Sequence, residues 1–249
     1  MGSDDRTDAA VNPYAAPTAQ VDEPKPALSN SGGFRSVTPL AKAIVAVMAV
    51  VILVKTGLLF NNVVCIRLMN RIQAGEAFEG AEATAIDQRA KSGVYATYGL
   101  QLVAAVLFCL FMPRANRNAQ TFTPLLRFTP RGSALAFFIP ILNLFQPYEV
   151  ASEIWRASDP EPSPLPGPAP VSPLIGAWWL AYICAGFVNT GARWTAKSIT
   201  DPASAITASY SAIAGEAASI IAAVLAALAM SAIAARQDAR HRRQPSLAS

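Results

Sequence analysis

The chain is poor in charged residues, cysteine and histidine. Charged residues make up 14% of its 249 residues, compared with roughly 25% in soluble domains. The single histidine, His241, excludes a His-based catalytic triad and a multi-histidine metal site. Cys65, Cys109 and Cys184 lie in or beside apolar runs without metal-ligand spacing. We interpret them as small apolar side chains and expect no metal and no cofactor.

The sequence also lacks the residue sets that common enzyme mechanisms require. It contains no paired-carboxylate, Ser/His or Cys/His set and no Gly-rich phosphate loop. The formal charge of +4 is modest for this length. We therefore expect no enzymatic activity and no nucleic-acid partner.

Apolar residues, in contrast, make up 53% of the chain. Several runs of about 20 residues carry almost no charge, which is the length needed to cross a hydrocarbon core of about 30 Å. The sequence therefore predicts an all-α integral membrane protein with four transmembrane helices. The predicted spans are roughly 40–66, 94–112, 174–192 and 217–235.

Polar segments flank and separate these spans within a membrane domain predicted over 37–236. Residues 1–36 lack the apolar core of a secretory signal and are expected to form a disordered cytoplasmic tail. Good helix formers between the first two spans predict a short extramembrane helix. Residues 159–173 are a proline-rich linker, and residues 237–249 are expected to form a basic C-terminal tail.

The segment 130–158 has a different character. Thr129 and Pro130 are typical of a helix N-cap and first helical position, but the run to Leu144 reaches only about 22 Å at 1.5 Å per residue. Pro140 interrupts it, and Pro147 begins a new helix. We expect a re-entrant helix followed by an interfacial one, with a fifth span as the alternative. The interfacial helix would place Val150, Ala151, Ile154 and Trp155 on one face and Glu149, Ser152, Glu153 and Arg156 on the other.

The distribution of Lys and Arg favours four spans. If the run 133–145 does not cross, 13 basic residues share a side with both termini and 6 lie opposite; if it crosses, the split is 10 to 9. Because basic residues accumulate on the cytoplasmic side, we expect both termini to be cytoplasmic.

The motifs within 114–179 resemble the DUF4328 family of bacterial membrane proteins of unknown function. They are R-x-x-R-N-A (114–119), R-F-T-P (127–130), F-I-P-x-x-N-L-x-x-P-Y (138–148), E-I-W-R-A-S (153–158) and W-W (178–179). The resemblance covers roughly 94–236. It implies a bacterial inner-membrane protein and supplies no activity.

A basic cluster is the first candidate site. Arg114, Arg117 and Asn118 share a helical face by their i, i+3, i+4 spacing, and Arg127 and Arg131 follow in a stretch without acidic residues. One interpretation is binding of anionic lipid head groups or a phosphorylated ligand. The alternative is a cluster that only fixes topology.

Polar and aromatic side chains near the prolines form a second candidate. Asn143, Gln146 and Tyr148 could line a polar cavity or satisfy backbone groups that the prolines release. Trp155 fits interfacial anchoring, with an aromatic ligand cage as the alternative.

An intramembrane charge is the third candidate. Lys55 lies inside the first span, and Glu216 lies at a similar level at the start of the last. Since such charges are costly and mostly functional, we hypothesise a Lys55–Glu216 ion pair, the alternative being that Lys55 reaches the outer interface past Asn61 and Asn62.

Two functions compete. The first is a non-enzymatic module that binds membrane lipids, anionic ones included, or a protein partner through its basic cytoplasmic face. A stripe of small residues on the last span suits either an internal helix contact or a homodimer. The second is a small transporter or channel whose path is lined by Lys55, Gln101, Asn189 and the proline-broken segment.

Overall fold

The computed structural model describes residues 33–123, 126–135, 139, 141–161 and 170–243. Most of the predicted N-terminal tail, Pro140, residues 162–169 of the linker and residues 244–249 lie outside this part. The described residues form helices and no strand. The elements are α1 (Thr38–Gln73), α2 (Gly80–Phe122), α3 (Pro130–Leu135), a 3-10 turn (Leu142–Leu144), α4 (Gln146–Ala157), α5 (Pro173–Lys197) and α6 (Pro202–Arg243).

In the described part of the chain, α1, α2, α5 and α6 are the four helices long and apolar enough to cross a membrane. Helix α3 has 6 residues and α4 has 12, so they reach only about 9 and 18 Å. Both are too short for a core of about 30 Å. The predicted four-span membrane fold is therefore confirmed.

Helices α2 and α6 extend well beyond the predicted spans at both ends. Helix α2 has 43 residues, or about 64 Å, and it includes most of the stretch predicted as a separate short helix. It also continues through Pro113 to Phe122. Helix α6 continues to Arg243, so half of the predicted C-terminal tail is helical. Hydropathy marks the part of a helix that suits a membrane, whereas polar helix formers extend it at either end.

Helix α6 lies between α1 and α5, and α2 packs on the far side of α1. Helix α4 packs against α2, α5 and α6. We call the end of the bundle where α1 and α5 begin and α2 and α6 end the α4 end. The opposite end, where residues 74–79 and 198–201 join consecutive helices, is the loop end.

The short elements are fixed by local capping and by burial. The Thr129 hydroxyl accepts a hydrogen bond from the Gly132 N–H at 3.1 Å, which confirms the predicted cap of α3. Val150, Ala151 and Ile154 of α4 are fully buried, as their predicted face requires. Ser152, assigned to the polar face, is buried as well, because α4 packs into the bundle end with helices on more than one side.

A glycine permits the close contact of α5 with α6. A Cβ at Gly215 would lie 2.9 Å from Asn189 Oδ1. Asn189 Nδ2 donates to the carbonyl oxygens of Ala185 and Gly215 and to the Ser219 hydroxyl, at 2.7, 3.2 and 3.0 Å. The asparagine therefore cannot move aside without losing these hydrogen bonds.

We expect Gly215→Ala to lower the free energy of unfolding by about 1 to 2 kcal/mol, as overpacking does elsewhere. Gly57→Ala is the matched control, because nothing lies within 4 Å of a Cβ at Gly57. That substitution should be neutral or stabilise by up to about 1 kcal/mol through helix propensity. Equilibrium unfolding in mixed micelles measures both, and equal effects of the two substitutions would contradict the tight contact at Gly215.

Candidate functional site

An amide network joins α2, α6 and the segment before α1 at the α4 end. Asn118 Oδ1 accepts from the Arg35 N–H at 3.1 Å, and Asn118 Nδ2 donates to the Arg35 carbonyl at 2.9 Å. The same Nδ2 donates to Gln237 Oε1 at 3.0 Å, and Gln237 Nε2 donates to the Ala115 carbonyl at 2.7 Å. Asn118 and Gln237 are buried. Asn118 is a candidate ligand-binding residue, but its amide atoms are occupied by these hydrogen bonds within the protein.

The two ends of the described chain meet at this network. The rings of Phe34 and His241 stack with centroids 4.0 Å apart. Ser36 and Thr38 donate hydroxyl hydrogen bonds to Asp238 Oδ2 at 3.2 and 2.7 Å. Both described ends of the chain therefore lie at the α4 end, on one side of the four helices.

The candidate arginines differ in their surroundings. Arg114 is half-buried, and its Nε donates to the Arg35 carbonyl at 3.4 Å. Arg117 and Arg131 are exposed, and among the described residues neither forms an ion pair. These two guanidinium groups are consequently available to an external anion.

Arg127 corrects the expectation of a basic cluster without acidic residues. Its Nη1 lies 3.1 Å from Glu149 Oε2, and its backbone N–H donates to Glu153 Oε1. The Phe128 N–H donates to Glu153 Oε2 at 3.2 Å. Helix α4 therefore supplies acidic partners that are remote in sequence, and Arg127 belongs to a contact between α4 and the loop before α3.

Trp155 has a similar internal role. Its ring lies under the Arg236 guanidinium at 4.5 Å, and its carbonyl accepts from Arg236 Nε at 3.1 Å. Arg236 Nη2 also lies 2.9 Å from Asp159 Oδ2. The tryptophan, half-buried, thus connects α4 to the C-terminal part of α6.

The two ends of the bundle differ in charge within the described residues. The α4 end has 11 basic and 5 acidic residues, and the loop end has 6 and 5. The α4-end residues are Arg35, Lys42, Arg114, Arg117, Arg127, Arg131, Arg156, Arg236, Arg240, Arg242 and Arg243, with Glu149, Glu153, Asp159, Glu161 and Asp238. The loop-end residues are Arg67, Arg71, Arg89, Lys91, Arg193 and Lys197, with Glu76, Glu79, Glu82, Asp87 and Asp201. Most of the excess of positive charge therefore lies at the α4 end.

The proline-flanked polar residues lie where the 3-10 turn meets α4 and α5. Asn143 and Gln146 are half-buried, and the side-chain oxygen of each is buried without a hydrogen-bond partner. Tyr148 is 39% exposed. Trp179 Nε1 donates to the Leu144 carbonyl at 3.1 Å and holds the turn against α5. Within the described residues, no donor is therefore placed to form a hydrogen bond with either amide oxygen.

Lys55 and Glu216 lie together in the middle of the bundle. Lys55 Nζ is 2.8 Å from Glu216 Oε2, and their side chains are 8% and 13% exposed. The alternative expectation was that the Lys55 side chain reaches the outer interface past Asn61. Asn61 is instead buried and hydrogen-bonded to α2. Its Nδ2 donates to the Ile86 carbonyl at 3.2 Å, and its Oδ1 accepts from Arg89 Nε at 3.0 Å.

A groove of about 990 Å³ lies between α2 and α5, with α1 and α6 as its floor. Lys55, Gln101, Asn143, Asn189 and Glu216 all line it, so it brings together the residues assigned to a transport path. At the α4 end the rings of Phe108 on α2 and Trp178 on α5 stack across it with centroids 6.0 Å apart.

The polar side chains of these candidate sites carry charged, amide and hydroxyl groups. No three or more His, Cys, Asp or Glu side chains in this part of the chain are placed to hold a metal ion. Sequence reasoning missed Gln237, Asp159 and Asp238. Gln237 and Asp238 lie on the helical face that includes Ile233 and Ala234, and this periodicity was the available signal.

One comparison with known proteins identifies a family. The model of a domain of unknown function, DUF4328, matches residues 74–235, beginning in the loop before α2. No curated protein and no solved structure matches the chain. The matched region covers well over half of the sequence and contains α2 to α5 and most of α6. The chain therefore belongs to the DUF4328 family.

Proposed function

We propose that this membrane protein is a non-enzymatic module that binds anionic lipid head groups through its α4 end. The observation that carries the proposal is the pair of exposed arginines, Arg117 and Arg131, on the end that holds the excess of positive charge. Each basic residue near an anionic surface contributes about 1 kcal/mol. Arginine also matches the geometry of phosphate oxygens.

The same charge difference supports an orientation. Basic residues accumulate on the cytoplasmic side of membrane proteins, where anionic lipids are also found. We accordingly place the α4 end and both described chain ends at the cytoplasmic face of a bacterial inner membrane. A protein partner or a second copy of the chain at this face is the competing occupant.

The proposal predicts that Arg117→Gln/Arg131→Gln weakens binding of phosphatidylglycerol by about 30-fold, which is two contributions of about 1 kcal/mol. Native mass spectrometry of the full chain in detergent, titrated with phosphatidylglycerol or phosphatidylcholine, measures this affinity. Arg67→Gln/Lys91→Gln is the matched control, since both residues are exposed at the balanced loop end and should leave the affinity unchanged.

Equal affinity of the unsubstituted protein for the two lipids would contradict the proposal. So would equal losses from the two double variants. A dimer or a co-purified protein that disappears only in Arg117→Gln/Arg131→Gln would assign this face to a protein partner instead.

A small transporter or channel is the second candidate. The common position of Lys55, Gln101, Asn143 and Asn189 in one groove supports it. The Phe108–Trp178 stack lies across that groove near the α4 end, which favours lateral binding over a continuous path. Ion or solute flux in proteoliposomes that Lys55→Met abolishes would establish the second candidate.

A further inference from the structure

The groove between α2 and α5 has the dimensions of a ligand site. Its volume of about 990 Å³ is at the upper end of the range of 300–1,000 Å³ typical of small-molecule sites. Its lining extends along α5 from Trp178 to Ala196, about 27 Å at 1.5 Å per residue. This length is comparable to the hydrocarbon thickness of a bilayer, about 30 Å, and suits an extended alkyl chain.

The walls of the groove are apolar and aromatic. Tyr98 on α2 and Tyr182 and Phe187 on α5 line it and are 52%, 46% and 68% exposed. Near the α4 end, the parallel rings of Phe108 and Trp178 narrow it. Such walls favour alkyl chains over water along most of the length.

Polar and charged groups also line the groove, from Asn143 toward the α4 end to Arg193 toward the loop end, and Lys55 and Thr97 share one level. The side chain of Leu58 on α1 lies directly against Gly93 on α2. Lys55 precedes Leu58 by about one turn, and Thr97 follows Gly93 by about one turn. Because α1 and α2 are antiparallel, Lys55 and Thr97 lie at the same level, and both line the groove.

Thr97 is an unsatisfied polar group in this lining. It is 9% exposed, and its Oγ1 is buried without a hydrogen-bond partner. Buried hydroxyl groups are nearly always hydrogen-bonded. A buried hydroxyl without a partner in the lining of a ligand-sized groove points to a bound molecule as the missing partner.

The charges at this level select the kind of molecule. Lys55 and Glu216 compensate each other at 2.8 Å, so a charged head group would find no net counter-charge there, and a charge at that depth is costly. The Lys55 ammonium has three N–H donors, and its Nζ lies 2.8 Å from Glu216 Oε2 as an ion pair. Together with the Thr97 hydroxyl it can donate to carbonyl, ester or hydroxyl oxygens.

We propose that the groove binds an uncharged lipid that carries ester or hydroxyl oxygens, of the diacylglycerol type. Its oxygens contact Thr97 and Lys55, and its alkyl chains lie against the aromatic walls. The lipid enters laterally from the bilayer between α2 and α5, which do not pack along their lengths in the described structure. This site is distinct from the arginines of the α4 end.

Glycines on α5 give a matched pair of tests. Gly186 lines the groove, and nothing lies within 4 Å of a Cβ at this position. Gly186→Trp therefore adds an indole ring at the groove from a position where the new Cβ meets no neighbouring atom. Gly191, on the same helix, is exposed, has equally open space around a Cβ and is not a lining residue.

The experiment titrates the full chain in detergent with dioleoylglycerol and records bound lipid by native mass spectrometry and thermal stability in parallel. The unsubstituted protein and Gly191→Trp should each bind one lipid and gain thermal stability. Gly186→Trp should lose binding by at least tenfold while keeping the thermal stability of the lipid-free protein.

Thr97→Val tests the hydrogen bond independently of groove volume. The lipid-free protein should be as stable as the unsubstituted one or more so, because an unsatisfied hydroxyl is removed. Affinity for dioleoylglycerol should fall about three- to tenfold, the usual range for one hydrogen bond.

Three results would overturn the proposal. One is binding of dioleoylglycerol that Gly186→Trp does not reduce. Another is preferential binding of dioleoylphosphatidylglycerol that Gly186→Trp, and not Arg117→Gln/Arg131→Gln, abolishes, because the groove would then take a charged lipid. The third is a dimer that Gly186→Trp dissociates, since a helix of a second copy would then occupy the groove.

Discussion

Replacing Lys55 with methionine is expected to lower the free energy of unfolding by about 3 to 5 kcal/mol, the usual cost of removing one partner of a buried ion pair. Lys55 Nζ lies 2.8 Å from Glu216 Oε2, and both side chains are largely buried. The substitution leaves the Glu216 carboxylate in the bundle without a counter-charge. Equilibrium unfolding of the full chain in mixed micelles measures the change.

A double substitution separates the pair from a general effect of altering α1. Lys55→Met/Glu216→Met removes both charges together and should recover most of the loss, because a buried ion pair is often no more stable than an apolar replacement. Lys42→Met, at an exposed position of the same helix, should leave stability unchanged. If Lys55→Met is as stable as the unsubstituted protein, the Glu216 carboxylate does not need Lys55 as its counter-charge.

Asn118→Leu should lower the free energy of unfolding by about 1 to 3 kcal/mol. The leucine would leave the buried Gln237 Oε1 without a partner, which costs about 1–3 kcal/mol, and would release the backbone N–H of the exposed Arg35 to water. The segment before α1 and the end of α6 should loosen together. Faster hydrogen exchange at residues 35–38 and 234–240 would report this local effect.

The matched control for Asn118→Leu is Gln88→Leu, at an exposed amide of the same helix, which should change stability by less than about 0.5 kcal/mol. Asn118→Leu/Gln237→Leu should be more stable than Asn118→Leu, because the second change removes an orphaned amide. Unchanged exchange at residues 35–38 in Asn118→Leu would show that the network does not hold α1.

The membrane helices were predictable from the sequence because their signal is local. Each of the predicted spans lies within α1, α2, α5 or α6, since an uncharged apolar run of this length has few other stable states in a bilayer. The cap at Thr129 was predictable for the same reason. The lengths of α2 and α6 were not, because polar helix formers outside the membrane do not show where a helix stops.

Contacts between segments that are distant in the sequence could mostly not be predicted. Glu149 partners Arg127 and Gln237 partners Asn118 only because α4 and α6 return to the same end of the bundle. The expected acid-free basic cluster was therefore wrong at Arg127. Lys55 and Glu216 could be paired in advance because so few charges lie inside the apolar runs.

The groove shows which part of a site a sequence can reveal. Lys55, Gln101 and Asn189 were singled out as polar residues in apolar spans, and all three line it. Thr97 gave no such signal, because threonine is common in membrane helices and can bond to its own backbone. Its unsatisfied hydroxyl is evident only once α2 is placed beside α1.

Cysteine accessibility tests the orientation of the α4 end most directly, and the assignment of this end to anionic lipids depends on that orientation. In a background with Cys65, Cys109 and Cys184 replaced by alanine, single cysteines are placed at the exposed residues Pro170 at the α4 end and Ala77 at the loop end. A membrane-impermeant maleimide applied to intact cells should label position 77 and should reach position 170 only after permeabilisation. Labelling of position 170 in intact cells, with position 77 protected, would contradict a cytoplasmic α4 end.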